Sequence, residues 1–254
     1  FKLDMKEFRL WNTYEPYLYT IRVSLIGEDG LETDSSDAVF GMRKFHMDTA
    51  EDIKGSLYLN NCPLILRGAN DMGHMQQCVM KNDHDQLIED ILIAKLANMN
   101  YYRFTQRPVQ EEIYHYCDML GMMNQTDFPL FGYLRKNKFC EALRQIHEME
   151  MHIRNHPSSI MISYINEPSS AEEHKLEYRH LIRNELEDFF EAADIIVKTC
   201  NPDRVIKHAE GDYDPPTRDG LSDFHCYTLW YTNHGIPFGK LYKGYLPALK
   251  KGWK

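Results

Sequence analysis

The sequence predicts an α/β protein in which helices wrap a parallel sheet. From residue 55 onward, short apolar runs typical of buried strands alternate with longer stretches whose apolar residues recur at helical spacing. Residues 1–46 instead carry strand patterns without helical periodicity. We therefore expect a small β segment at residues 1–46 and a larger α/β domain at residues 47–254.

The β segment contains two predicted strands. Residues 18–26 alternate apolar and polar side chains, residues 27–30 predict a turn, and residues 38–45 predict the second strand. Two strands alone do not form a stable sheet. We therefore expect this segment to be the end of a β-sandwich whose beginning is absent from the chain.

The α/β domain begins with a predicted hairpin at residues 56–66, which leads into a first parallel strand ending at residues 67–70. The next helix is predicted to begin at Asp83, an N-cap residue with Gln86 three positions later. Its inner face is predicted to carry leucine and isoleucine side chains: Leu87, Ile91, Leu92 and Leu96.

The remaining strands and helices alternate along the chain. Helices are predicted from Pro108 to Gly121, over residues 139–153, and from a capping pair of Asn184 and Glu187 to about residue 201. Further strands are predicted at residues 100–104, 122–126, 160–168, 204–207 and 223–227. About six parallel strands are therefore expected.

Composition and charge limit the class of partner. The chain has 254 residues, 43% of them hydrophobic, which is enough for an extensive core. A net charge of −9 argues against nucleic acid and anionic membrane surfaces. No apolar run approaches the ~20 residues that a membrane helix needs. We expect a small neutral substrate, with no nucleic acid and no membrane as partner.

Cysteine and histidine spacing predicts neither disulfides nor a metal site. The six cysteines are widely spaced, so we expect buried, reduced thiols, which favours a cytoplasmic location. His152 and His156 are four residues apart, but Pro157 ends the helix, which indicates a solvated helix end. We expect no metal and no cofactor.

The most informative stretch is the apolar run at residues 160–168, which stops at Asn166 and Glu167. In parallel α/β barrels, functional groups lie at the carboxyl ends of such strands. Three further polar residues end neighbouring predicted strands and are candidate pocket residues: Asn70, Arg103 and Asp127. Asn70 and Asp127 could instead serve as turn or cap residues, and Arg103 could instead form a purely structural buried ion pair.

Several motifs, in order, resemble the landmarks of glycoside hydrolase family 2, the family of β-galactosidases, β-glucuronidases and β-mannosidases. They lie at residues 11–19, 40–43, 59–63, 66–70, 100–103, 117–121, 154–157 and 166–167. The resemblance spans nearly the whole chain. It implies a (β/α)8 TIM barrel over residues 47–254, of which about six strands are present, preceded by the C-terminal strands of an immunoglobulin-like β-sandwich at residues 1–46.

The resemblance also implies an activity and roles for single residues. Family 2 enzymes are retaining, so Glu167 is expected to be the general acid/base of a β-glycosidase. Asn166 is expected to hydrogen-bond the sugar's 2-hydroxyl, and Arg103 to hold the catalytic carboxylates. Other sugar contacts are expected from residues near the ends of the first, third and sixth strands: Asn70, His74, Asp127, Tyr227 and Trp230.

The family's nucleophile is a second glutamate on the seventh strand, and none follows Tyr231 here. We expect it to lie beyond Lys254, so residues 1–254 alone are expected to be inactive. Glu210 is the one carboxylate in the chain that could replace this nucleophile, but it ends the fifth predicted strand, whereas the family's nucleophile lies on the seventh.

Two interpretations stay open. The chain is either the middle of a retaining β-glycosidase acting on β-linked sugars such as β-galactosides or β-glucuronides, or a non-catalytic carbohydrate-binding or assembly subunit that lacks the nucleophile. Both predict a small carbohydrate ligand. Homo-oligomerisation, or association with the missing remainder of the enzyme, is also expected.

Overall fold

The computed structural model describes residues 2, 4–48, 55–168, 179–211 and 221–222. Its strands, in chain order, are β1 (Tyr19–Ile26), β2 (Glu32–Phe40), β3 (Phe45–Met47), β4 (Leu57–Leu59), β5 (Cys62–Leu64), β6 (Gly68–Asp71), β7 (Tyr101–Phe104), β8 (Met123–Asp127), β9 (Ser159–Asn166), β10 (Val205–Glu210) and β11 (Leu221–Ser222). Its helices are α1 (His74–Met80), α2 (His84–Leu96), α3 (Glu111–Leu120), α4 (Phe139–Ile153) and α5 (Arg183–Cys200), with a short 3-10 turn at Lys136–Lys138.

The largest sheet is parallel, and its strands lie in chain order. The sequence of neighbours is β11-β10-β9-β8-β7-β6, and every pair within it is parallel. Each crossover between β6 and β10 contains at least one helix. This succession of strand and helix is that of a TIM-barrel-like α/β fold. It confirms the predicted parallel sheet.

Two separate apolar clusters include residues of the parallel strands. The larger cluster packs the helices against the sheet and includes Ile91, Ile113, Ile146 and Phe189. The second cluster joins Trp11, Phe45 and Leu59 to residues within the first three positions of β8, β9 and β10: Met123, Ile160, Met161 and Val205. The three-stranded sheet β3-β4-β5 therefore covers the amino ends of these strands and leaves the carboxyl ends for the site.

The β segment forms an antiparallel ribbon of β1 and β2, in which Tyr19 pairs with Phe40. The predicted second strand at residues 38–45 is right only for residues 38–40, because β2 spans Glu32–Phe40 and residues 41–44 lie between β2 and β3. Most of β2 is exposed, so its polar residues carry no apolar alternation that would reveal a strand. The predicted hairpin at residues 56–66 is confirmed by β4 and β5, whose turn residues Asn60 and Asn61 have φ of 53° and 65°.

The first two barrel helices depart in part from their predictions. Asp83 caps α2 as expected, because its side chain accepts a hydrogen bond from the Gln86 backbone N–H at 3.2 Å. Two of the four residues predicted for the inner face of α2 are not buried, because Leu92 is 42% and Leu96 is 87% exposed. The buried face follows the spacing of Leu87, Ile91 and Ala94 instead. Helix α1 was not predicted.

The observed ends of α3, α4 and α5 agree only in part with their predicted ends. Helix α3 begins at Glu111 rather than at Pro108, whereas its predicted end at Gly121 is confirmed by a left-handed φ of 68°. The predicted bounds of α4 are confirmed. The capping pair predicted for α5 is wrong, because Glu185 accepts the hydrogen bond from the Ile182 N–H at 3.0 Å.

His156 is buried, so the predicted solvated helix end is wrong. Its Nδ1 lies 2.6 Å from Asp118 Oδ2, and its Nε2 lies 3.0 Å from Glu111 Oε1. Only 8% of His156 is exposed, since it lies between these carboxylates and is stacked on Tyr114.

The described cysteines are all unpaired by disulfides. The expected burial holds for Cys78 and Cys117, whereas Cys62 and Cys140 are exposed. Among the described residues, no helix has both the length and the apolar character required to cross a membrane.

Candidate active site

Polar side chains gather where the parallel strands end. Asn70, Arg103 and Asp127 lie at or near the carboxyl ends of β6, β7 and β8, and Asn166 and Glu210 are the last residues of β9 and β10. Adjacent parallel strands bring their carboxyl ends to one edge of the sheet. Residues that are far apart in sequence therefore meet there.

Arg103, on β7, contacts side chains from three other strands: β8, β9 and β10. Its Nε and Nη2 donate to Asp127 Oδ2 at 2.9 and 2.7 Å, and Nη2 also donates to Asn166 Oδ1 at 2.6 Å. Its Nη1 lies 3.8 Å from Glu210 Oε2. The Arg103 side chain is only 8% exposed, so these charge-assisted hydrogen bonds form away from solvent. The structure thus brings together the side chains of Arg103, Asp127 and Asn166.

Gln125 and Lys207 contact the carboxylate oxygens of Asp127 and Glu210 that Arg103 does not bind. Gln125 Nε2 donates to Asp127 Oδ1 at 2.8 Å and also to Glu210 Oε1. Lys207 Nζ lies 2.6 Å from Glu210 Oε1. When ionised, Arg103 and Lys207 balance Asp127 and Glu210, which gives a neutral buried network. We call this set of five residues, together with Asn166, the Arg103 network.

Glu167 follows β9 immediately and is adjacent in sequence to Asn166 of this network. Its backbone N–H donates to the Glu210 carbonyl at 2.7 Å, which fixes the residue against β10. Its φ of 48° lies in the left-handed region. For a residue with a side chain this conformation costs about 1–3 kcal/mol, and such strain concentrates at functional sites. Glu167 as a whole is half-buried.

The backbone of Asn166 is fixed as firmly as its side chain. Its N–H donates to the Leu130 carbonyl at 2.9 Å, and its carbonyl accepts from the Gly132 N–H at 2.9 Å. A parallel bridge between Phe131 and Asn166 therefore extends the pairing between the β8 side and β9 to the last residue of β9. These contacts set the direction in which the chain presents Asn166 and Glu167.

The other predicted site residues have more varied positions. Asn70 is exposed and pairs with Arg103 in the register of β6 and β7. His74 is the first residue of α1, and its Nε2 lies 2.7 Å from Asp90 Oδ2 on α2. Tyr227 and Trp230 lie outside the described residues. The sugar-binding roles of all four stay predictions.

Sequence reasoning missed Gln125 and Lys207, and it considered Glu210 only as a substitute nucleophile. A signal existed in β8, whose residues 124–127 are Asn, Gln, Thr and Asp although the strand is fully buried. Buried polar residues require hydrogen-bond partners. A polar run inside a buried strand therefore predicts a network, although it does not name the partners on other strands.

Comparison with known proteins gives the same architecture. Residues 51–238 match the family model described as "Glycosyl hydrolases family 2, TIM barrel domain". Residues 1–43 match the model described as "Glycosyl hydrolases family 2".

Curated relatives include the β-galactosidase of Photobacterium profundum, which is 27% identical over 185 residues. That alignment covers 69% of this chain and 18% of the relative. The β-galactosidase of Vibrio vulnificus (strain CMCP6) has the same identity, and 17% of its length is covered. This chain therefore spans less than a fifth of the length of these relatives.

Solved structures also match. A Bacteroides uniformis β-glucuronidase aligns with a TM-score of 0.64 at 23% identity, covering 80% of this chain and 24% of that protein. A β-D-glucuronidase of Dictyoglomus thermophilum aligns with a TM-score of 0.71 at 19% identity, covering 96% of this chain and 42% of that protein. At these identities the alignments establish the fold.

Proposed function

Because this chain belongs to glycoside hydrolase family 2, we propose that it carries the acid/base half of a retaining β-glycosidase active site, with Glu167 as general acid and base. In such enzymes one carboxylic acid protonates the oxygen of the leaving group while a second carboxylate attacks the sugar. The first carboxylate then removes a proton from the water that releases the sugar. Glu167 has the residue type that this role requires.

One observation carries the proposal. A glutamate with a left-handed φ of 48° directly follows Asn166 at the carboxyl end of β9, and its N–H is bound to β10. A solvated strand end has no need of a strained carboxyl residue, since glycine or asparagine adopts this conformation more easily. Strain at this position supports a requirement for the carboxyl group itself.

The Arg103 network supports the proposed role of Asn166. The Arg103 guanidinium donates to Asn166 Oδ1 at 2.6 Å, so the amide oxygen faces Arg103. The Asn166 amide nitrogen is then the atom presented as a donor. We assign it to the oxygen of the sugar's 2-hydroxyl, where a hydrogen bond strengthens as the transition state forms.

We propose that Asp127 and Glu210 are positioning residues rather than the nucleophile. Both are buried and are bound by Gln125 and by the cations of the network. A nucleophile must instead face the sugar carbon, about 5–5.5 Å from the acid/base carboxyl group. We therefore place the nucleophile outside the residues that the structure describes.

The proposed substrates are β-linked sugars such as β-galactosides or β-glucuronides. The curated relatives are named β-galactosidases, and the structural neighbours are named β-glucuronidases. A panel of nitrophenyl β-glycosides, assayed with the full-length protein, tests this proposal. Hydrolysis of at least one of them is expected, whereas hydrolysis of none would contradict it.

The acid role is tested by the substitution Glu167→Gln. It should lower turnover by about 10²–10⁴-fold for substrates with poor leaving groups, which need protonation, and much less for activated aryl glycosides. Glu148→Gln, an exposed carboxylate on α4, is the matched control and should leave both rates unchanged. An equal loss for both kinds of substrate would contradict the acid role.

We also propose that β1 and β2 belong to the immunoglobulin-like β-sandwich. The antiparallel ribbon and the family match over residues 1–43 support this proposal.

A further inference from the structure

Three potential metal ligands meet between α1 and α2, outside the Arg103 network. His74 and Cys78 lie one helical turn apart on α1, and Asp90 faces them from α2. His74 Nε2 lies 2.7 Å from Asp90 Oδ2 and 3.9 Å from Cys78 Sγ. The three ligand atoms all lie within 4.8 Å of one another.

We propose that His74, Cys78 and Asp90 bind a divalent cation of the Zn²⁺ class and thereby fasten α1 to α2. An imidazole nitrogen, a thiolate and a carboxylate oxygen together match the ligand preference of Zn²⁺. Mg²⁺ and Ca²⁺ prefer all-oxygen sites and are not expected to bind here. Sequence spacing did not reveal the site, because Asp90 comes from a second helix.

The geometry needs only small adjustments. Tetrahedral Zn²⁺ places neighbouring nitrogen, sulfur and oxygen ligands about 3.4–3.6 Å apart. The His74–Asp90 pair must therefore open by about 0.7 Å, and the widest separation in the cluster, which is at most 4.8 Å, must close by no more than about 1.2 Å. The His74 side chain is 65% exposed, so solvent can supply a water molecule as the fourth ligand.

The surroundings favour a cation. Gln86 Nε2 donates to Asp90 Oδ1 at 2.8 Å, which leaves Oδ2 directed at His74. Such outer hydrogen bonds orient metal ligands. Cys78 lies near the carboxylates of Asp83 and Asp71 as well as that of Asp90, and Lys81 is the opposing charge. A bound divalent cation offsets the excess of negative charge, takes the Cys78 thiolate as ligand and releases the thiol proton to solvent.

Calorimetric titration with Zn²⁺ tests the proposal in the full-length protein. The wild type should bind one more Zn²⁺ per chain than His74→Ala, Cys78→Ser or Asp90→Asn, and Mg²⁺ should not substitute. Gln86→Ala should weaken the site by about 10-fold, as expected for an outer hydrogen-bond partner. His115→Ala and Cys140→Ser replace an exposed histidine and an exposed cysteine and should leave the count unchanged.

A second measurement identifies the sulfur ligand independently. Co²⁺ bound at the site should give a thiolate-to-cobalt charge-transfer absorption in the wild type and in Cys140→Ser, but not in Cys78→Ser. Zn²⁺ should also raise the melting temperature of the wild type and leave that of Asp90→Asn unchanged, since a ligand bound only to the native state stabilises it. The same Zn²⁺ stoichiometry in wild type and in all three ligand variants overturns the proposal, as does a charge-transfer band that survives Cys78→Ser. Neither outcome bears on the proposed role of Glu167.

Discussion

Replacing Arg103 by methionine tests whether the Arg103 network is a desolvated unit. The Arg103 side chain is 8% exposed, and its carboxylate partners Asp127 and Glu210 are each 2% exposed. Arg103→Met removes a cation and its hydrogen bonds but preserves an apolar stem. Removing one partner of a buried ion pair costs about 3–5 kcal/mol, because a charge is left buried and uncompensated. Gln125 and Lys207 remain, so we expect a loss of about 3 kcal/mol.

Urea denaturation measures this loss as a lower midpoint at unchanged slope. Arg144→Met is the matched control. Arg144 also pairs with two carboxylates, Glu141 and Glu148, but on the exposed face of α4, and its loss should change stability little.

A loss below about 1 kcal/mol, the range of solvated surface ion pairs, would contradict a desolvated Arg103 network, since it would mean that water reaches these side chains. Arg103→Lys distinguishes the contribution of the positive charge from that of the hydrogen-bond geometry. Lysine keeps the charge, but it cannot donate from two nitrogen atoms to Asp127 as Arg103 does.

Two further predictions concern stability. Burial alone would lower the pKa of His156, but the carboxylates of Asp118 and Glu111 outweigh burial and raise this pKa. The contribution of His156 to the stability of the folded protein is therefore complete below the unfolded-state pKa of about 6.5. It is lost as pH rises through the higher folded-state pKa. Denaturation should show the advantage of wild type over His156→Gln shrinking from about pH 6 to about pH 9, and a growing advantage would contradict the pairing. A Cβ at Gly68 would lie 1.9 Å from the Tyr101 carbonyl oxygen; Gly68→Ala should therefore lower the melting temperature and cost about 3 kcal/mol, and an unchanged melting temperature would show that β6 and β7 are not this close.

Much of the fold follows from local pattern. The bounds of α4 and the position of β9 were predictable, because a strong helical period and an unbroken apolar run each specify one structure. The inner face of α2 was only half predictable, since counting apolar residues does not show which of them the sheet covers. Leu96 is apolar yet 87% exposed.

The candidate site was predictable only in part. Asn166 and Glu167 stand out because they interrupt an apolar strand. The partners of Arg103 depend instead on the register between strands, which brings Asp127 and Asn166 to it from 24 and 63 residues away. His156 was misjudged for the same reason, because Asp118 lies 38 residues away in the chain. Contacts over such separations are properties of the packed fold.

Chemical rescue tests the central role of Glu167 most directly. Glu167→Ala removes the base that activates water, so the covalent glycosyl-enzyme formed from an activated aryl β-glycoside should persist. Azide attacks the sugar carbon without losing a proton, displaces the nucleophile's carboxylate and needs no base. Added azide should therefore restore turnover of the full-length protein, and NMR should identify a β-glycosyl azide as the product. An α-glycosyl azide would identify Glu167 as the nucleophile instead, and the absence of any rescue would contradict its role as the acid/base.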